Sequence, residues 1–488
     1  MYAGRECGLD DYIMAKKKLV KNTLYYSIGE ILPRALSFIL LPVYTRYLSP
    51  TDYGISSYTH TIILFLFVLG TFALNSYVLR YYFIHESEEE RRQLLGTAQL
   101  SIILLNIAIL VLAFLFMPGV IKAFGIQVPW NPYFRLAFII NFFDCLSIIP
   151  LVIYRVRQEA VKFVVLGFTR TILTVCLTLY FLIVEKRGLI GTFQAQLYVV
   201  IPYAAIYLSI MQKYAVWRIR WDYLKEGLKF SAPLIPGSIC YMLLSVSDRV
   251  ILERNVNINE LGVYNVACQL SLVLNIVIQS GYKAIEPELF KRFGKEGFYD
   301  FVRKTQSVFF CIVYIGALAL CLFSQEVFML MTSEAFHGGY MLVPLLMVGV
   351  IMTGQNVIYS GILQGERRTK VAGSATMIGA VVSVLLNTAM IPLFGTFAAA
   401  STSAVSFFVM NTILFCAMTF PGKSMTRETL LVLFIPAIAY LLFFCTGNIG
   451  IIGALAKVLT ICLYAVLSAR LLKVDLSQAK ILLLKNLK

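Results

Sequence analysis

Residues 21–58 read KNTLYYSIGEILPRALSFILLPVYTRYLSPTDYGISSY. A basic cluster just before and at its start, Lys16, Lys17, Lys18 and Lys21, gives way to an apolar run that closes at Arg46. A short connection, RYLSPTDYG, then leads into a second apolar run. The hydrocarbon core of a bilayer is about 30 Å thick and a helix rises about 1.5 Å per residue, so about 20 apolar residues suffice to cross it. Residues 22–46 and 53–83 both meet that length, which makes this stretch a span, a tight loop and a second span.

The same pattern continues along the chain. Further spans are expected at 94–117, 132–154, 163–184, 189–212, 229–253, 262–285, 304–324, 340–363, 371–392, 395–419, 428–446 and 449–470, about fourteen in all. These runs are too long and too apolar for strands, and a transmembrane barrel would show alternating segments of about ten residues. The fold class expected is therefore an all-α polytopic membrane protein.

Charge tests the count. Of 42 Lys and Arg, thirty lie in the even-numbered loops and at the two ends, and five lie in the odd-numbered loops: Arg46, Lys122, Lys186, Arg187 and Arg254. A missed span would scramble that split. Basic loops stay on the cytoplasmic side, so both termini are expected in the cytoplasm. Trp130, Trp217 and Trp221 fall at span ends, where an amphipathic ring prefers the headgroup level.

Composition agrees. The 488 residues are 59% hydrophobic and 14% charged, whereas soluble domains carry roughly a quarter charged residues. The net charge of +16 sits in short loops between apolar runs, which argues against a nucleic-acid partner. Nine of ten cysteines lie inside apolar runs and read as small buried hydrophobes, with no metal site and no cofactor implied. The first dozen residues hold no signal-peptide core, so the first span is its own insertion signal, and Met14 is an alternative start. The tail, 471–488, spaces apolar residues helically between lysines and reads as an interfacial helix on the cytoplasmic surface.

An offset of 208 residues aligns the two halves without gaps at informative places. Gly29 meets Gly237, Arg46 meets Arg254, Gly54 meets Gly262 and Lys162 meets Lys370, with RYLSPTDYG over RNVNINELG. Six spans, an even number, separate the copies, so the repeats run parallel. Parallel repeats imply two bundles with a substrate path between them. The organisation expected is a cytoplasmic segment 1–21, a six-helix bundle 22–212, a cytoplasmic linker 213–228, a second bundle 229–419, two additional spans within 428–470, and the tail.

No enzyme motif is present: there is no P-loop, no G-x-S-x-G and no H-E-x-x-H, and the only histidines are His60, His85 and His337. The chain is not expected to be an enzyme. The run HESEEERR at 85–92 reads as a solvated loop. Ionisable residues inside spans are the better signal, because a charge at mid-bilayer costs several kcal/mol unless a cavity or partner receives it. The basic candidates for a substrate cavity are Arg34, Arg80, Arg170, Arg249 and Lys283, and the acidic candidates for ion coupling are Glu30, Asp144 and Asp248. Arg80, Arg135 and Lys283 sit within about a turn of a span end, where snorkelling to the headgroups is the rival explanation. Lys457 is a further intramembrane base.

Glu30 and Arg34 share a helix face at i,i+4, as do Arg249 and Glu253, so each is a candidate neutralising pair. Asp144 has no base within a turn of its own helix. It is either a protonated, hydrogen-bonded core residue or a proton- or sodium-responsive carboxylate. Guanidinium forks suit phosphate oxygens, so a net basic cavity points to an anionic substrate. Pro33 and Pro42 in the first span, and Pro233, Pro236 and Gly237 at the start of the seventh, mark expected helix breaks.

The segment 20–60, with Pro42, Arg46, Leu48, Asp52, Tyr53 and Gly54, and the basic loop ending at Lys162, resembles bacterial polysaccharide flippases. These are the lipid-linked oligosaccharide transporters of the multidrug/oligosaccharidyl-lipid/polysaccharide superfamily. The resemblance implies a V-shaped pair of six-helix bundles that work by alternating access, with spans 1, 2, 7 and 8 lining the cavity. Four of the basic residues already named, Arg34, Arg80, Arg249 and Lys283, are on those spans. The implied cargo is a polyprenyl-pyrophosphate-linked oligosaccharide, turned from the cytoplasmic to the outer leaflet of the bacterial inner membrane for surface polysaccharide synthesis. Implied partners are that lipid, the surrounding membrane lipids, and a polysaccharide polymerase with its assembly proteins. A lipid II flippase and a drug or metabolite antiporter of the same superfamily are the alternatives. Antiporters that favour cationic cargo would call for carboxylates, whereas the spans here carry more bases than acids.

Overall fold

The computed structural model describes residues 33, 35–36, 38–419, 426–446 and 451–472. Every regular element among them is helical. In chain order these are α1 (Leu41–Tyr47), α2 (Pro50–Thr71), α3 (Leu74–Tyr81), α4 (Glu88–Phe124), α5 (Trp130–Val156), α6 (Ala160–Val184) and α7 (Gly188–Tyr214). There follow α8 (Trp221–Ser231), α9 (Leu234–Asn255), α10 (Ile258–Arg292), α11 (Phe298–Leu322), α12 (Ser324–Met331), a 3-10 segment (Glu334–Leu342), and α13 (Val343–Gly365). The last are α14 (Thr369–Ala417), α15 (Thr426–Thr446) and α16 (Ile451–Leu471).

Among the described residues eleven helices are long and apolar enough to cross a membrane. The longest, α14, is two spans joined at Gly395, and α15 contains a further apolar run, Leu431–Phe443. Gly395 holds φ +57°, which L side chains rarely adopt, and Pro392 removes a backbone donor just before it, so one continuous ladder breaks there. Most of the first expected span lies outside the described residues. The chain is a polytopic helical membrane protein of about 14 spans.

The helix ends follow local chemistry. The segment expected to be a charged loop, 85–92, instead contains the start of α4: the Ser87 side chain caps it by accepting from the Glu90 amide at 3.1 Å. Three glutamates in the first turn, Glu88, Glu89 and Glu90, face the positive end of the helix dipole. The second expected span is divided at Phe72 and Ala73, which hold φ of +49° and +51°. A non-glycine residue there costs roughly 1–2 kcal/mol. The break expected near Pro233 lies between α8 and α9.

The described residues pack as two compact units. The first holds Thr59–Ile239 and those before Leu41; the second holds Leu41–Tyr58 and everything from Cys240. In the first unit, Val78, Leu94, Ile102, Cys145, Ile149, Ile153 and Met211 form a closed core from four helices, α3, α4, α5 and α7. The connection after α7 is pinned along α4: the Val216 amide donates to the Arg92 carbonyl at 3.0 Å, and the Arg220 amide donates to Thr97 Oγ1 at 3.1 Å. A methyl on Gly96 would lie 1.8 Å from the Val216 carbonyl oxygen, so only glycine allows that approach.

The outward faces of these helices stay apolar. Val161, Val165, Phe168, Leu173 and Val184 on α6 are all exposed. In water so large an apolar surface would drive association; in lipid it is the expected condition.

In the second unit, α1 and the start of α2 pack with α10 and α12. Thr45 Oγ1 donates to the Met331 carbonyl at 3.2 Å, and Ser333 Oγ to the Thr45 carbonyl at 2.8 Å. Positions separated by the 208-residue offset meet here. Thr51 and Asn259 are joined by a hydrogen bond, and Gly54 and Gly262 lie at the crossing of α2 with α10. A polar network is buried between α9 and the two arms of α14. Asn387 Nδ2 donates to Ser247 Oγ at 3.0 Å, Thr402 Oγ1 donates to Asn387 Oδ1, and Ser247 and Ser383 are 3.3 Å apart. Each of these four side chains is satisfied by another, so the network costs little to bury.

Candidate functional site

Two intramembrane acid–base clusters stand out, one in each unit. In the first, Asp144 from α5 accepts a hydrogen bond from Arg170 Nη2 on α6. The Tyr207 phenol of α7 lies beside the same guanidinium. One turn earlier, Tyr203 donates to Thr169 Oγ1 at 2.7 Å. Asp144 has no base within a turn on its own helix, and its partner arrives from the next one, 26 residues on. About a third of each side chain is still accessible. The carboxylate neutralises Arg170 without using all five guanidinium donors, and the remainder suit an anionic oxygen.

In the second unit, Asp248 and Arg249 are neighbours on α9. Asp248 is 5% exposed and accepts from the Tyr264 hydroxyl of α10 at 2.5 Å. Arg249 Nη1 lies 3.7 Å from Asp248 Oδ1 and donates to the Ser245 carbonyl at 3.3 Å. The ion partner of Arg249 is thus Asp248; the i,i+4 spacing had suggested Glu253. The adjacent carboxylate is the one at hand, oriented by the Tyr264 hydroxyl that reaches it from α10.

The other expected residues are placed differently. Arg80, in the last turn of α3, is exposed, with its guanidinium 5.5 Å over the Phe230 ring of α8. That cation–π contact is worth about 0.5–1 kcal/mol at an exposed site. Nearby, Tyr77 donates to Glu226 Oε2 at 2.9 Å. Lys283 is half-buried on α10. Glu30 and Arg34 lie outside the described residues, as do Met14 and nearly all of the amphipathic tail.

Two features were not assigned a role by the sequence. Lys457 on α16 is 3% exposed, pairs with Glu326 of α12, and has its ammonium 5.6 Å over the Phe323 ring. The pair docks the last helix onto the second unit, and only Lys457 was visible as a charge inside a span. The Ser247–Asn387–Thr402 network was signalled only by polar residues in apolar runs. At the loop between α5 and α6, Glu159 forms an ion pair with Lys162 at 2.6 Å and accepts a hydrogen bond from Arg157 Nε at 3.3 Å. The Lys162 hydrogen bond, with help from Arg157, holds the Glu159 carboxyl below its ordinary range despite partial burial.

Comparison with known proteins follows the same line. Residues 19–291, more than half of the chain, match the family described as polysaccharide biosynthesis protein. Lsg locus putative protein 1 of Haemophilus influenzae is 23% identical over 328 residues, covering 66% of this chain and 78% of that protein. An uncharacterized membrane protein of the same organism is 22% identical over 287 residues, covering 56% of this chain and 66% of its own length. Among solved structures, the lipid II flippase MurJ in an inward closed conformation superposes with a TM-score of 0.71 at 15% identity, covering 92% of this chain and 99% of that one. An inward-facing multidrug resistance MATE family transporter of the MOP superfamily superposes with a TM-score of 0.63 at 12% identity, covering 84% and 95%. At these identities the two structures report the fold. The chain belongs to the polysaccharide biosynthesis protein family and has the helical fold of these membrane transporters.

Proposed function

We propose that this protein flips a polyprenyl-pyrophosphate-linked oligosaccharide from the cytoplasmic to the outer leaflet of the bacterial inner membrane, for surface polysaccharide synthesis. Family membership supports the cargo class, and one structural observation carries the mechanism: each unit keeps an arginine within a span beside an aspartate, Arg170 with Asp144 and Arg249 with Asp248. A guanidinium held this way is neutral overall at rest and can exchange its carboxylate for phosphate oxygens when the lipid enters. Arg34, Arg80 and Lys283 complete the basic set in this proposal, and Glu30, Asp144 and Asp248 are the carboxylates through which an ion gradient drives the return. In this reading both termini are cytoplasmic, 22–212 and 229–419 act as the two moving bundles, and cargo passes on to a polymerase and its assembly proteins. The chain acts as a transporter, with no cofactor and no covalent step.

A lipid II flippase is the second reading, favoured by the superposition on MurJ. Deletion of the gene, with complementation by wild type and by Arg34→Ala, separates them. Glycan lipid trapped on the cytoplasmic leaflet with loss of surface polysaccharide supports the first reading. Arrested cell-wall synthesis supports the second. Unchanged glycan lipids with altered resistance to cationic compounds would sink both and indicate an antiporter.

A further inference from the structure

The second unit contains a cavity of about 630 Å³ at the crossing of α2 with α10, lined among others by Ser49, Thr51, Asn259, Glu260, Leu342 and Phe397. That volume lies within the roughly 300–1,000 Å³ of small-molecule sites. Its walls come from the ends of α2 and α10, the 3-10 segment and the Gly395 joint of α14, all on the side of the chain poor in Lys and Arg. We infer that this cavity is a saccharide-binding site, which takes neutral sugar units of the cargo as they emerge on the outer side. The inference rests on the oligosaccharide reading and on the proposed orientation.

The lining chemistry selects the ligand. No lining residue is Lys or Arg, and one is a carboxylate, so the pyrophosphate is disfavoured and a hydroxyl-rich neutral group is favoured. The Glu260 side chain is exposed and has no hydrogen-bond or ion-pair partner among the described residues, which leaves both oxygens to accept from vicinal hydroxyls. Ser49 and Thr51 add hydroxyls, and Asn259 an amide, at the same wall. Phe397 is 45% exposed beside the Gly395 joint and offers an aromatic face to the apolar C–H face of a sugar ring. Charge thus divides the labour, with cations in the spans for the phosphates and an uncharged-donor pocket with one acid for the glycan.

The test uses the full chain in lipid nanodiscs, with maltose and N,N′-diacetylchitobiose as probes in saturation-transfer NMR. Wild type should transfer saturation to at least one disaccharide, and Phe397→Ala and Glu260→Gln should each reduce that signal at least fivefold while the thermal midpoint is unchanged. No transfer in wild type, or transfer indifferent to both variants, would overturn the site. The same preparations, assayed for flipping of a glycan lipid, decide the reading beneath it. Flipping without saccharide contact removes the pocket alone, whereas absent flipping with transport of cationic compounds removes the oligosaccharide reading.

Discussion

Gly54 and Gly262, equivalent positions 208 residues apart, each close onto the start of the other's helix. A methyl on Gly54 would sit 2.1 Å from the Ile258 carbonyl oxygen, and one on Gly262 would sit 1.8 Å from the Pro50 carbonyl oxygen. Pro50 and Ile258 are themselves 208 residues apart, so the contact is a local twofold built from the repeat. Backbone meets backbone, and no rotamer change relieves a clash.

Gly54→Ala and Gly262→Ala should therefore each destabilise the protein by about 1–3 kcal/mol, the usual cost of overpacking. Gly237→Ala is the control, since nothing lies within 4 Å of its added methyl. Gly237→Ala should leave the thermal midpoint of the detergent-solubilised protein unchanged or raised. Equal midpoints for all three variants would show that the crossing yields easily.

Asp144→Asn leaves Arg170 without its ion partner inside a span, and Arg170→Gln strands Asp144. Removing one member of a buried pair costs about 3–5 kcal/mol, less here because each side chain is about a third accessible. The double variant should recover much of the stability and none of the flipping. A double-mutant cycle on the thermal midpoint, read beside transport, checks this. Restored transport in the double variant would make the pair structural.

The Lys457–Glu326 pair gives the contrasting case, because it docks the additional C-terminal helix and is absent from the proposed substrate set. Lys457→Met should lower the thermal midpoint, and Lys457→Met with Glu326→Gln should partly restore it. Flipping per folded molecule should stay within about twofold of wild type, less than the roughly tenfold loss expected when a charged hydrogen bond to substrate is removed. Such a loss is the expectation for Arg34→Ala, with a smaller effect for Lys283→Ala.

Glu159, in the connection between α5 and α6, supplies a pH signature. Its carboxyl is depressed in the folded protein, first by the Lys162 hydrogen bond. A depressed carboxyl contributes stability above its unfolded pKa of about 4.3, and that contribution is lost as pH falls through the lower folded value. Wild type should therefore melt above Glu159→Gln at pH 7, and the gap should narrow only below about pH 4.3. A gap independent of pH would point to lost packing.

Sequence alone determined the helical class, the span count, the asymmetry of basic loops and the 208-residue offset. Each depends on chain-local quantities, namely the length of an apolar run, the charge beside it, and glycines at a fixed interval. What it left open was which residues meet. Asp144 was visible as a carboxylate in a span, but Arg170 reaches it from a neighbouring helix. Spacing offered Glu253 as a candidate partner for Arg249, while the structure pairs Arg249 with Asp248, whose carboxylate accepts from Tyr264 of α10. Lys457 was visible without Glu326. In water, one polar face announces how a helix is rotated; in lipid, both the outward and the inward faces are apolar, so hydropathy carries little information about rotation. Rotation decides every cross-helix contact, and only the tertiary structure supplied it.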